Sequence, residues 1–177
     1  MEKNTNIKKI DMKELVNKIS SYNFLNYLLP GVLFAFLLKE TTSYNLVQDD
    51  LFVGAFVYYF IGLVVNRVGS LVVQPIARHF KFVVFKPYSD FIKASKDDSK
   101  LDVLSETNNM FRSFAGLFLV LLVVVVTEFF GLSIDFSVGY VKIISVVFLL
   151  VLLLFAYRKQ TKTIHDRIEA DLSQNDN

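Results

Sequence analysis

Hydrophobic residues in this chain are gathered into four long blocks that polar segments separate. The blocks run from Phe24 to Leu38, from Leu51 to about Val65, from Ser113 to Thr127 and from about Val141 to Tyr157. A helix that crosses a bilayer needs about 20 mostly apolar residues, and each block reaches that length with its flanking residues. The pattern therefore predicts an all-α, polytopic membrane protein with about four transmembrane helices and helical cytoplasmic extensions.

Composition narrows the chemistry that such a protein can carry. Apolar residues make up 53% of the chain, which is high for a soluble domain of 177 residues. Cysteine is absent, so disulfides and thiolate metal sites are excluded. His79 and His165 are the two histidines, too few for a histidine-based metal cluster within one chain. We therefore expect neither a metal nor another cofactor.

The distribution of lysine and arginine predicts the orientation in the membrane. Five of them precede the first block, eight lie between residues 67 and 112, and four follow Tyr157, whereas the other two loops hold Lys39 and Lys142. Positively charged loops stay in the cytoplasm, so both termini and the central segment should be cytoplasmic. The predicted order is a cytoplasmic amphipathic arm (1–23), a transmembrane hairpin (24–66), a cytoplasmic helical segment (67–112), a second hairpin (113–157) and a cytoplasmic helical tail (158–177).

The second block does not end at a clear polar boundary. The apolar sequence continues beyond Asn66 and Arg67 as "VGSLVV". We expect the helix to emerge from the membrane at Arg67 and to run along its surface; the alternative is that Arg67 lies at membrane depth with a partner or water.

A candidate for catalysis stands where the last block ends. Arg158 and His165 are seven residues apart, which is two helical turns, so both would lie on one face if the last helix continues into the tail. An arginine and an imidazole on one face could orient and deprotonate a ribose 2′-hydroxyl, which is the chemistry of RNA cleavage. The alternative is that Arg158 reaches the lipid boundary and His165 is an ordinary exposed residue.

A second set of candidates consists of polar residues at membrane depth. Asn26, Asn66 and Arg67 are costly toward lipid, so they should face protein or water. They could line a pore in an oligomer, or they could form hydrogen bonds between helices.

The chain resembles the small membrane accessory proteins of type VI-B CRISPR loci. The features that it shares are its length, its lack of cysteine, its several spans and an R-x6-H in the stretch "RKQTKTIH". The resemblance implies a homo-oligomeric pore in the bacterial inner membrane that acts beside an RNA-guided, RNA-targeting effector in antiviral defence. It also implies a divergent HEPN-like site at Arg158 and His165, although Lys159 stands where HEPN nucleases usually have a small polar residue.

Three functions are therefore expected, in this order. The first is a non-enzymatic homo-oligomeric pore that permeabilises the membrane, since a chain this small can enclose a channel only as an oligomer. The second is a membrane-tethered HEPN-type ribonuclease that uses Arg158 and His165 across a dimer interface. The third is a membrane scaffold or sensor that binds a cytoplasmic partner through residues 67–112. Acidic residues are interleaved with the basic ones there, which weakens an interpretation as an RNA-binding surface.

Overall fold

A computed structural model describes residues 23–131 and 136–175, and this part of the chain consists of five helices without any β-strand. The predicted amphipathic arm, 1–23, lies outside the described residues except for Asn23. The helices and their bounds are α1 (Phe24–Thr41), α2 (Leu51–His79), α3 (Tyr88–Asp97), α4 (Lys100–Gly131) and α5 (Phe136–Asn175).

Four of these helices are long and apolar enough to cross a membrane. The stretches that qualify are Phe24–Thr41, Leu51–His79, Lys100–Gly131 and Val138–Ser173. The predicted fold class is therefore confirmed: the described chain is all-helical with four candidate spans. The predicted boundaries at 66, 112 and 157 all fall inside continuous helices, so each of α2, α4 and α5 contains both an apolar and a polar part.

The apolar parts of α1, α2, α4 and α5 pack around one core. Leucine and valine predominate in it, as expected for a face that recurs every three to four residues. The fully or nearly fully buried members are Phe34, Leu38, Val65, Leu117, Phe118, Leu121, Val125 and Val146.

Glycine lets the helices of this half approach one another at the level of their backbones. A β-carbon on Gly31 would collide with the carbonyl of Tyr58, and one on Gly62 would collide with the carbonyl of Tyr27. Gly116 of α4 lies in the same way against the backbone of α2 at Gly69. Such small residues are the usual means of close helix packing in membranes.

Prolines do not end α1 or α2, because a widened turn precedes each of them. Leu29 N–H donates to the carbonyl of Phe24 and Gln74 N–H donates to that of Gly69, in each case five residues back. Pro30 and Pro75 follow directly. A proline leaves one helical carbonyl without its donor, and such a local π-helical turn is one way to accommodate the loss. The helix therefore continues past Arg67 rather than ending there.

Helix α3 lies against the polar parts of α4 and α5. The predicted helical segment, 67–112, is interrupted after His79, and residues 80–87 run to α3 without regular structure. Ala94 of α3 is completely buried beside Leu101 of α4 and Ile168 of α5. The expected continuation of the last helix into the tail is found, since α5 is unbroken to Asn175.

Candidate functional site at the polar end of the bundle

Arg158 and His165 lie in one groove on the surface of α5. The groove has a volume of about 330 Å³, and both side chains line it. The guanidinium carbon of Arg158 stands 4.9 Å from the centre of the Phe82 ring, and His165 Nδ1 is 3.6 Å from Asp166 Oδ1 and 3.7 Å from Glu169 Oε2. The two residues therefore share a face as their spacing predicted, but each already has its own neighbour. Their HEPN-like role stays a prediction.

The three pore candidates have different environments in the single chain. Asn26 is completely buried in α1. Asn66 is buried as well, and its Nδ2 donates a 2.6 Å hydrogen bond to Ser113 Oγ on α4. Arg67 is exposed on the outside of α2 beside Leu63 and Leu71. Of the three, Arg67 is therefore the one whose side chain a channel or a second subunit could reach without rearrangement of this conformation.

A larger cavity lies at the polar end, between the end of α2 and helices α3, α4 and α5. Its volume is about 600 Å³, which is within the range of small-molecule sites. Lysine, arginine, histidine, amide, hydroxyl and aromatic side chains line it, and no carboxylate is among the described residues of its wall. The lining residues are Gln74, Arg78, Phe85, Lys86, Pro87, Tyr88, Phe91, Ser105, Asn108, Asn109, Arg112, Thr161, Ile164, His165 and Ile168.

Two arginines give this cavity its charge. Arg112 Nη1 donates a 2.7 Å hydrogen bond to Gln74 Oε1, while Arg78 lies 5.6 Å from the centre of the Phe85 ring. Among the described residues, no carboxylate lies within 4.0 Å of either guanidinium group. Positive charge at this position is therefore compensated by dipoles and a ring, which are weaker partners than a carboxylate.

Lys86 and His165 differ from the two arginines because they share a carboxylate. Glu169 Oε2 is 3.3 Å from Lys86 Nζ and 3.7 Å from His165 Nδ1. Glu169 itself is exposed and does not line the cavity. This ion pair links the segment before α3 to α5 at the rim of the cavity and leaves Arg78 and Arg112 as the lining cations without a carboxylate partner among the described residues.

Two buried polar atoms beside the cavity have no hydrogen-bond partner in the described part of the chain. They are Nε of Arg112 and the hydroxyl oxygen of Tyr157, a residue that is 0% exposed. Arg112 lines the cavity, whereas Tyr157 is buried in a cluster with Ala77 and Val83 and does not line it. A buried donor without a partner costs about 1–3 kcal/mol, so Arg112 Nε has the capacity to donate to an additional acceptor.

Hydrogen bonds between α4 and α5 connect the two helices beside the same cavity. Thr161 Oγ1 lies 3.0 Å from Asn108 Oδ1, and Gln160 Nε2 donates to the carbonyl of Leu104 at 3.1 Å. Among the described residues, no group of three or more His, Asp or Glu side chains is arranged to hold a metal ion.

Sequence reasoning did not identify Arg78, Arg112 or Tyr157. The positive-inside distribution accounts for the two arginines, so they carried no signal as single residues. A signal does exist in hindsight, because Gln74 and Arg78 are four residues apart on α2, as are Asn108 and Arg112 on α4. This spacing marks one polar face on each helix, although it does not say which faces will meet.

Comparisons with known proteins do not assign a function to the chain. No family model matches the chain, and neither a curated protein nor a solved structure is similar to it. The resemblance to the membrane accessory proteins of CRISPR loci therefore stays a prediction.

Proposed function

We propose that this protein is a membrane-embedded receptor that binds a small, phosphate-bearing anion in the cavity at its polar end. The observation that carries this proposal is the pair of guanidinium groups, Arg78 and Arg112, in a 600 Å³ cavity whose described lining contains no carboxylate. By the distribution of lysine and arginine, that end faces the cytoplasm. The proposal is a specific form of the expected sensor function, with a ligand site in place of a protein-binding surface.

Phosphate is the ligand class that these donors favour. Arginine presents planar, paired N–H groups that match phosphate oxygens, and charge-assisted hydrogen bonds are about twice as strong as neutral ones. Arg112 lines the cavity, and its Nε could become a partner of a bound oxygen, directly or through water. Tyr88 and Phe91, whose rings stack with 6.3 Å between centres, add an aromatic surface at the same cavity.

Binding of inorganic pyrophosphate and of ATP to the purified full chain in detergent tests the proposal. We expect saturable binding of at least one of these probes. Replacing Arg78 by Gln should weaken it about tenfold or more, because a hydrogen bond to a charged group contributes about 1.5–3 kcal/mol. Arg78 is exposed, so the fold should tolerate this change.

Lys93→Gln is the matched control for that experiment. Lys93 is an exposed cation on α3 that does not line the cavity, so its loss removes the same charge at the same end of the protein. Binding should survive it. The proposal is wrong if neither probe binds saturably, or if the two variants lose affinity equally.

The homo-oligomeric pore is a second candidate, and Arg67 favours it. A charged side chain on an exposed face between Leu63, Val64, Val68 and Leu71 is costly toward lipid, and either a second copy or a water-filled channel would remove that cost. The antiviral role that the resemblance implies depends on this candidate.

Electron microscopy of the detergent-solubilised protein tests the pore directly. A closed ring with an axial opening near Arg67, together with ion conductance in liposomes, is the expected result. Arg67→Leu should make the exposed face compatible with lipid and so shift the particles toward monomers. A wild-type sample that consists of monomers alone would exclude the pore.

A further inference from the structure

A second groove lies on the outside of the bundle, where the end of α2 approaches α4 and α5. It has a volume of about 300 Å³, and every one of its lining residues is apolar. Phe80 is 74% exposed and Ile76 is 52% exposed, so the groove opens to the surroundings of the bundle rather than to its core. Its lining consists of Val73, Ile76, Ala77, Phe80, Phe82, Leu119, Leu150 and Leu154.

This apolar groove adjoins the groove that holds Arg158. Phe82 lines both of them. Its ring packs edge-on against Phe155, with 5.6 Å between the centres, and Arg158 covers it from the polar side. The apolar groove and the groove that holds Arg158 therefore meet at one aromatic side chain, that of Phe82.

The polar part is predominantly cationic. Lys81, Arg158 and Lys162 contribute three positive charges to its wall, against one carboxylate, Asp166. His165 lines it as well and lies closest to Asp166 and Glu169. Three cations around one small groove repel each other, which an anion held between them would offset.

The backbone of Lys81 adopts a conformation that lysine rarely takes. Helix α2 ends in a Schellman motif: Phe82 N–H donates to the carbonyl of Ala77 at 2.8 Å, and Lys81 N–H donates to that of Arg78 at 3.0 Å. The motif places Lys81 at φ 53°, the left-handed conformation that glycine normally adopts there. No other non-glycine residue in the described chain has a positive φ. Such strain is concentrated at functional sites.

We propose that the two grooves together bind one anionic phospholipid. Its phosphate lies among Lys81, Arg158 and Lys162, and one of its acyl chains lies along the apolar groove past Phe80 and Phe82. Basic pockets beside membrane helices are known sites for anionic head groups, and their position at the junction of apolar and polar surface is that of the bilayer boundary. The ammonium group of Lys81 contacts the head group, and this contact offsets the cost of the left-handed backbone.

A phospholipid fits this surface better than a soluble phosphate does. A soluble anion would use the cationic part alone and would leave the apolar groove, with its exposed phenylalanine, unexplained. The site also differs from the cavity proposed above, since Arg78, Arg112 and Tyr157 line neither groove. Either proposal can therefore fail without the other.

Native mass spectrometry of the full chain tests the lipid site. The protein is titrated in detergent with phosphatidylglycerol and, separately, with phosphatidylcholine. We expect one phosphatidylglycerol to bind preferentially. Lys81→Asn and Lys162→Gln should each weaken that binding about fivefold, which is the usual contribution of one basic residue near an anionic membrane surface. Asparagine tolerates the left-handed conformation, so Lys81→Asn removes the charge without adding strain.

Lys159→Gln is the matched control for these variants. Lys159 is an exposed cation next to Arg158 on α5, yet it lines neither groove. Its replacement should leave phosphatidylglycerol binding unchanged. An equal loss in Lys159→Gln and Lys81→Asn would mean diffuse attraction to a basic surface and would overturn the proposal, as would equal binding of the two lipids by the wild type.

Lys81→Gly separates a role in binding from a role in folding. Glycine relieves the strained backbone, so the melting temperature should rise while phosphatidylglycerol binding falls as in Lys81→Asn. A variant that is more stable and still binds as wild type would refute a function for the lysine. Glycerol 3-phosphate, the soluble head group, should fail to displace the lipid; if it displaces the lipid at similar concentrations, the acyl groove contributes nothing.

Discussion

The two ends of this bundle are packed in opposite ways. In the apolar half, α1, α2 and α4 meet at backbone distance through Gly31, Gly62 and Gly116. At the polar end, α3, α4 and α5 meet through long side chains and enclose a cavity of about 600 Å³. The same helices α4 and α5 belong to both halves, so the difference does not arise from fold class. It arises from which residues lie where the helices meet.

The two kinds of packing differ in how far the side chains can rearrange around a ligand. Backbone contacts have no rotamers, so the apolar half offers a single arrangement of its helices. The polar end is built from arginine, lysine, glutamine and asparagine, whose side chains can change rotamer around a ligand without moving a helix. A binding site belongs at the second end, and a rigid frame belongs at the first.

Replacing a closely packed glycine of the apolar half by alanine should have the largest effect on stability. In Gly62→Ala the new β-carbon meets the carbonyl of Tyr27, which is backbone and cannot rotate away. We expect a loss of about 3 kcal/mol or more, at the upper end for overpacking, and little folded protein. Thermal unfolding in detergent and the yield of monodisperse protein measure it.

Gly131→Ala is the control for that change. Gly131 ends α4, and no described atom lies within 4 Å of the β-carbon that it would gain. The variant should be neutral or slightly more stable, because alanine favours helix. If the two variants behaved alike, close packing would not be what defines the apolar half.

Removing one buried hydrogen bond from each end of the bundle compares the two ends with a smaller change. Ser113→Ala removes the acceptor of the Asn66 amide inside the apolar half, where no water can replace it. Thr161→Val removes the partner of Asn108 at the cavity, where water can. We expect a loss of about 1–2 kcal/mol for the first and a smaller one for the second.

Measuring the free energy of unfolding of Ser113→Ala and Thr161→Val side by side shows whether water replaces the lost hydrogen bond at the cavity. Each substitution removes one hydroxyl and nearly preserves shape, so differences in packing should be small. Equal losses in the two variants would mean that the cavity is as dry as the core, which would also argue against an anion and its water in that site.

The sequence was sufficient for the frame but not for the site. Block length and apolar content predicted four spans, and the stripe of Ile164, Ile168 and Leu172 predicted that α5 would continue, because both depend on local pattern. The cavity depends on pairs distant in sequence, such as Arg112 with Gln74, 38 residues apart. No local pattern encodes which polar faces will meet.

Backbone irregularities were also beyond local inference. The sequence around Lys81, "RHFKF", contains no glycine, so nothing in it marks the left-handed residue that ends α2. The widened turns before Pro30 and Pro75 are likewise not marked by the residues around them, and the close contact of Gly69 with α4 is a tertiary feature.

The smallest expected effect concerns the ion pair that closes the polar end. Arg167 Nε donates a 2.7 Å hydrogen bond to Asp98 Oδ2, and this contact holds the pKa of the Asp98 carboxyl below its usual value. The folded protein therefore binds this proton less readily than the unfolded chain does, so the pair stabilises the fold above the ordinary aspartate pKa of about 3.9 and loses its effect as the pH falls through the lowered value.

Comparing melting temperatures of wild type and Asp98→Asn from pH 6 to pH 3 measures this. The wild type should be slightly more stable at pH 6, and the difference should shrink toward pH 3 and with added salt, since both partners are partly exposed. If wild type and Asp98→Asn had the same melting temperature at every pH, Asp98 would act only as an acceptor for the Lys100 amide, a role that asparagine can fill, and its charge would contribute nothing to the polar end.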